Sequence, residues 1–136
     1  MQMNPYLFFD GRCEAAFRFY AECLGGEFVA MITHRDSPIA DQTPPERHDQ
    51  ILHARLVRGD MMLMGSDAPP ERHRPMQGFC VSLLVADAAE AERLFQALAA
   101  DGTVHMELQE TFWAIRFGML VDRFGTPWMI GCERPA

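Results

Sequence analysis

Apolar and polar positions along this chain follow the same order twice. Leu7, Phe8 and Phe9 form a short apolar run that ends at Asp10. Cys13, Ala16, Phe17, Tyr20 and Leu24 then recur at the spacing of one helical face, and the pattern closes at Gly25 and Gly26. Further on, Leu84 and Val85 lead through Asp87 into Ala91, Leu94, Phe95 and Leu98, closing at Gly102. This spacing predicts two helices. Asp10 and Asp87 are the expected N-caps, with Glu90 three residues after Asp87 as a capping box. Gly25 or Gly26, and Gly102, suit the left-handed position beyond each C-terminus.

Strand-length segments rich in apolar or β-branched residues follow each helix. They are EFVAMIT (27–33) and QILHARLVR (50–58) in the first copy, TVHMELQ (103–109) and AIRFGMLV (114–121) in the second. GDMMLMG (59–65) then matches GTPWMIG (125–131), glycine for glycine. Each copy reads β-α-β-β-β, so the expected fold is α+β: two βαβββ modules forming a cupped mixed sheet with helices on the outer face. A copy of roughly 60 to 70 residues covers its own strands poorly. The expectation is therefore a single domain over 1–136, with modules at about 1–67 and 78–136 and a linker at about 68–77. The segments 34–50 and 66–77 are proline-bearing and charged, which predicts exposed loops with His34, His48 and His73 solvated. PPERH occurs in both, at Pro44 and Pro69, out of step with the module repeat, and reads as turn-prone composition.

Composition narrows the partners. A net charge of -7 and a pI near 5.1 supply no basic footprint for nucleic acid. No apolar run approaches the roughly 18 to 20 residues that cross a bilayer, and MQMNPYLFF does not read as a secretion signal. A cytoplasmic location is expected, with no membrane partner. Cys13, Cys23, Cys80 and Cys132 are scattered without a Cys-x-x-Cys pair, which predicts reduced, mostly buried thiols. Open sheet edges in such a fold predict a homodimer.

Two places carry candidate chemistry. In QILHARLVR, alternation puts Ile51, His53, Arg55 and Val57 on one face and Leu52, Ala54 and Leu56 on the other. His53 is either a hydrogen-bonded histidine at a sheet rim or a polar group facing a ligand, able to exchange a proton near neutral pH. QETFWAIRFG, Gln109 to Gly118, also has two readings. As a packed turn, Phe112 and Trp113 cap the core, Glu110 pairs with a surface cation and Gln109 satisfies the backbone. As a pocket wall, Trp113 and Phe112 are the apolar lining, and Gln109, Glu110 and Arg116 are the few fixed polar groups of a small-molecule site. Glu110 and His53 are then the candidate acid–base pair, and Met64 in the Met-rich strand is an adaptable apolar wall.

Paired βαβββ modules with F-x-F-Y-A-x-x-L-G-G (17–26) and D-R-F-G-T-P-W-M-I (122–130) resemble the vicinal oxygen chelate superfamily. That superfamily includes glyoxalase I, ring-cleaving dioxygenases and antibiotic-binding proteins similar to the bleomycin resistance protein. I-L-H-A-R-L (51–56), G-D-M-M-L-M-G-S-D (59–67) and Q-E-T-F-W-A-x-x-F-G-x-x-x-D-R-F-G-T-P-W-M-I (109–130) resemble its PhnB-like branch, whose pattern repeats a histidine at His53. The resemblance implies a metal held by His, Gln or Glu from the first and last strand of each module. The matching positions here are Pro5, Leu63, Cys80 (or Val81 after a one-residue slip) and Met129. None is a hard ligand, so no metal is expected. No glycine-rich turn follows the first strand, so no nucleotide-like cofactor is expected either. The leading expectation is a small-molecule-binding protein without a catalytic metal. The alternatives are a metal-dependent lyase, isomerase or dioxygenase acting on a small oxygenated metabolite, and a non-catalytic structural or regulatory dimer.

Overall fold

In the computed structural model, which describes residues 1–135, the first unit (Met1–Arg74) begins with β1 (Tyr6–Phe9), α1 (Cys13–Leu24) and β2 (Glu27–Thr33). Two short 3-10 turns, Ala40–Gln42 and Pro45–Arg47, lead to β3 (Ile51–Arg58) and β4 (Met61–Asp67). The second unit (Pro75–Ala136) runs β5 (Val81–Leu84), α2 (Ala88–Ala99), β6 (Thr103–Gln109), β7 (Ala114–Val121) and β8 (Pro127–Glu133). The fold is α+β, with two βαβββ modules as the sequence predicts. Each module holds its own four-stranded mixed sheet, ordered β1-β4-β3-β2 and β5-β8-β7-β6. The first strand of each unit lies parallel to its last, and the other pairings are antiparallel.

Each helix covers one face of its own sheet because the strands alternate. Leu7, Phe9, Ala54, Leu56 and Leu63 are buried with Ala16, Phe17 and Tyr20 of α1. Phe17 meets Phe9 edge-on at 6.2 Å and fits over Gly65, where a Cβ would strike its ring. In the second unit Leu120, Trp128 and Ile130 are buried with Ala91, Leu94, Phe95 and Leu98 of α2, and Phe95 fits over Gly118.

The helix ends show what local sequence hides. Asp87 caps α2 as expected, its carboxylate accepting Glu90 N–H at 2.8 Å. Asp10 does not cap α1. The N-cap position falls to Arg12, and the acceptor is Asp67 at the end of β4, whose carboxylate takes Cys13 N–H at 3.0 Å and Ile51 N–H at 2.8 Å. Burial first, then the Asp67 and Glu14 carboxylates, push the Cys13 thiol far up, so it stays protonated. At the C-termini Gly25 takes the left-handed position as expected, but in the second unit Asp101 does so in place of Gly102. Gly102 is needed for closeness instead: a Cβ there would collide with the Val121 carbonyl, as one at Gly26 would with that of Val57. An arginine then closes each helix, Arg58 donating to Leu24 O at 2.6 Å and Arg123 to Ala100 O at 3.2 Å.

Two further expectations change. The glycine-for-glycine match of β4 with β8 misplaces the pleat by one residue. Tyr6 lies beside Met64 and Ser82 beside Met129, so Met64 corresponds to Met129 and the buried Leu63 to Trp128. The segment 34–50 is largely exposed, as expected, but His34 and His48 within it are not solvated. His34 is 6% exposed, its Nδ1 3.2 Å from Thr43 Oγ1, and His48 Nε2 lies 3.0 Å from Thr43 O and 3.1 Å from Ala40 O. The loop's own carbonyls and a threonine supply partners that the imidazoles would otherwise find in water. Burial, with Arg47 nearby, lowers the His34 pKa from its ordinary 6.5.

Candidate functional site

The candidate chemistry of the first unit lies on the face of its sheet turned away from α1, the open face. Register places Tyr6, Met64, Arg55 and Ala30 side by side across β1, β4, β3 and β2. In the adjoining row Phe8 lies beside Ser66, and His53 beside Ile32. Tyr6 Oη is 3.1 Å from His53 Nδ1, the two rings stack at 5.7 Å, and Phe8 packs against Tyr6 at 5.1 Å. Arg55 reaches Met62 Sδ with Nη2 at 3.2 Å. Its Nε is shielded from solvent and has no hydrogen-bond partner among the described residues. His53, Arg55 and Val57 share a half-buried face as alternation predicts. Ile51 does not, being buried beyond a register shift between Ile32 and Thr33. Tyr6 was absent from the sequence-derived candidates. Its signal was the alternation of β1, where Leu7 and Phe9 turn inward and Tyr6 and Phe8 outward.

In the second unit the corresponding row is Ser82, Met129, Met119 and Met106, and the next is Leu84, Gly131, Phe117 and Gln109. Trp113 lies edge-on to Phe117 at 5.5 Å and to Phe112 at 4.7 Å. Trp113 is 49% exposed and Phe112 91%, so neither caps a core. The turn that carries them is held by Thr111, which exchanges two hydrogen bonds with Ala114. Glu110 is largely exposed and pairs with Arg134 at 2.9 Å, the surface cation of the turn reading. Arg116 lies on the helix side of β7, paired with Glu92 of α2 at 3.2 Å, and Gln109 is exposed at the end of β6. Of the sequence-derived residues, Trp113 and Phe112 thus come together beside Phe117. His53 and Met64 lie in the first unit.

The long string ending DRFGTPWMI is structural at its centre. Asp122 accepts the N–H groups of Phe124 and Thr126 and, at 2.8 Å, the Trp128 indole N–H. One buried carboxylate thus shapes the turn and seats the largest buried side chain of the unit.

The metal that the resemblance implies does not fit these positions. On the open faces, the adjacent first-strand and last-strand residues are Tyr6 with Met64 and Ser82 with Met129. Leu63, proposed from sequence as one of the four positions, is buried on the opposite face from Met64. Phenol, hydroxyl and two thioethers do not fit a hard divalent ion, which needs imidazole or carboxylate donors. Among the described residues, no group of three or more His, Cys, Asp or Glu side chains is placed to hold a metal ion.

Comparison with known proteins gives a consistent family. A model described as the Glyoxalase/Bleomycin resistance protein/Dioxygenase superfamily matches residues 2–130. The chain is 36% identical to Protein YjdN of Escherichia coli (strain K12), covering 96% of this chain and 94% of that one. Among solved structures it is similar to protein PA1353 from Pseudomonas aeruginosa, with 48% identity, 99% of each chain covered and a TM-score of 0.91. A PhnB protein from Bacillus cereus shares the fold at 21% identity, with 98% of this chain and 100% of that chain covered and a TM-score of 0.81.

Proposed function

Because the chain belongs to the glyoxalase/bleomycin resistance protein/dioxygenase superfamily, we propose that it binds a small molecule on its open sheet faces, and does so without a catalytic metal. The observation that carries this reading is the Tyr6–His53 hydrogen bond, set beside Arg55 and among Phe8, Met62 and Met64. A strand face that serves only solubility has little use for two stacked rings and a partly desolvated guanidinium. A few fixed polar groups on an apolar, adaptable surface are what a small-molecule site requires. The Trp113–Phe117 pair is the corresponding apolar surface of the second unit.

A protein-observed NMR screen with a fragment library tests this. Binders are expected to shift the His53 ring and the Met62 and Met64 methyl signals, or to change Trp113 fluorescence. A library that binds nowhere, or only away from these residues, overturns the binding reading. Elemental analysis of the purified protein is expected to show no stoichiometric divalent metal. About one equivalent of zinc, nickel, iron or manganese would overturn the metal-free part.

A further inference from the structure

We infer that the open face of the first unit selects a ligand whose polar end is an anionic oxygen group of the carboxylate class, seated on Arg55 and on the Nε2–H of His53. The inference rests on the binding reading above and narrows it to one chemistry.

On this face the guanidinium of Arg55 and the Nε2 of His53 present donors only, and the Tyr6 hydrogen is committed to His53. Tyr6 Oη and His53 Nδ1, 3.1 Å apart, share one hydrogen. A phenol donates through its O–H better than its oxygen accepts, and the bare nitrogen of a neutral imidazole is a strong acceptor. Tyr6 therefore donates to Nδ1, which fixes the ring hydrogen on Nε2. In the imidazolium form Nε2 also carries a hydrogen, so that nitrogen donates in either charge state. Arg55 adds five N–H donors and no acceptor. None of the ion pairs among the described residues includes Arg55, and the acceptor it reaches is a thioether sulfur, a weak one. Its Nε–H, cut off from water, meets no acceptor among the described residues.

The nearby acids are placed elsewhere. Asp67 is bound to the Cys13 and Ile51 amides, and Glu27 stands opposite Val57 at the exposed end of β2. An oxyanion supplies the missing acceptors, and Arg55 is the side chain suited to bind it with two parallel hydrogen bonds. Entry requires Met62 to move from Nη2, which an unbranched thioether does readily. Phe8, Met64 and the Tyr6 ring then face the apolar body of the ligand. In the second unit Ser82, Phe117 and Met119 stand where the first has Tyr6, His53 and Arg55. The anion seat therefore belongs to one unit only.

Benzoate, benzamide and benzylammonium share a ring and differ in the charge and hydrogen-bonding sense of the polar end. Each is titrated into the isotope-labelled full chain while the His53 ring and Arg55 Nε–H signals are followed. Benzoate is expected to bind at least about ten-fold tighter than benzamide, with benzylammonium weakest. In R55Q that preference should vanish, benzoate falling to the level of benzamide, and R55K should recover part of it; far-UV circular dichroism checks that both variants fold. Nitrogen-detected spectra of the free protein should show His53 Nδ1 as acceptor, an arrangement lost in Tyr6→Phe. Equal binding of the three probes, or a benzoate preference that survives R55Q, overturns the anion seat and leaves the small-molecule reading standing. A hydrogen found on Nδ1 of the neutral His53 ring overturns the donor-only argument. Silence from all three probes overturns the seat, and silence from the fragment library as well removes the binding reading with it.

Discussion

The two units share one frame and differ on one side of it. Towards the helices, equivalent positions hold equivalent packing: Ala54 and Gly118, Leu56 and Leu120, Leu63 and Trp128. Away from the helices, Tyr6, Met64, Arg55 and Ala30 stand where the second unit has Ser82, Met129, Met119 and Met106. Three of four positions in that second row are thioethers, while the first row carries a phenol and a guanidinium. A face pressed against a helix is constrained by volume, because cavities and overpacking both destabilise. An open face has no such constraint and can hold polar chemistry in one copy and an apolar surface in the other.

Three experiments sharpen this division into a packed side and an open side. The largest contrast is between the two tryptophans. Trp128, 1% exposed and bonded to Asp122, should cost about 3 to 5 kcal/mol of stability when replaced by Ala. Trp113→Ala should cost about 1 kcal/mol or less, as expected of a half-exposed ring. Equal losses in chemical denaturation would place Trp113 in a core and erase the distinction.

A smaller contrast comes from two glycines of the second sheet. An Ala at Gly118 puts its Cβ 2.7 Å from the Phe95 ring under α2, and should cost about 1 to 3 kcal/mol. At Gly131 the nearest atom is Leu84 Cδ2 at 3.3 Å, the end of an exposed side chain, so Gly131→Ala should stay within about 0.5 kcal/mol. Thermal unfolding of the two variants measures the difference. The reverse order would mean that the faces of β7 and β8 are exchanged.

The smallest effect is a pH dependence confined to the first unit. His34 is held neutral in the fold by burial and by Arg47, partly opposed by Asp67, so its pKa lies below the ordinary 6.5. Below about pH 6.5 the unfolded chain binds more protons at this site than the folded one. Its contribution is therefore fully present above that pH and is lost as pH falls towards the folded value, by at most about 1.4 kcal/mol per pH unit. Amide hydrogen exchange of His34 and Arg35, whose N–H groups bond to Gln50 O and His48 O, should show weaker protection at pH 5.5 than at 7.5 after correction for intrinsic rates. Val104 in β6 should show no such change. A His34→Gln variant that keeps the pH response would assign it to another group.

Where a structural partner lies close in sequence, the pattern of residues was enough. The bounds of β2, β6 and β7 coincide with EFVAMIT, TVHMELQ and AIRFGMLV, and Asp87 caps the helix it immediately precedes. Where the partner is distant, the pattern misled. Asp10 is a reasonable cap by its position, yet the carboxylate that fills the role is Asp67, fixed only by the β1–β4 pairing. The same pairing decides the pleat of β4, which a match of glycines cannot supply, because a shift of one residue reverses every side chain. The candidate site divides in the same way. His53 was visible because β3 alternates, whereas its bond to Tyr6 spans 47 residues and depends on β1 and β3 flanking β4. Trp113 and Phe112 stood out by composition, but composition could not tell that Arg116 turns to Glu92 and Glu110 to Arg134.

The parallel pairing of first and last strands also bears on how the chain can be made. A ribosome releases β1 and α1 early, but β1 has no neighbour in its sheet until β4 appears. The start of α1 likewise lacks its carboxylate until Asp67 has been added. Before that point the finished hairpin of β2 and β3 carries an unpaired edge on the side where β4 will dock. The nascent first unit thus commits to its native form in one late step, when its last strand slots between β1 and β3 and closes contacts more than fifty residues apart.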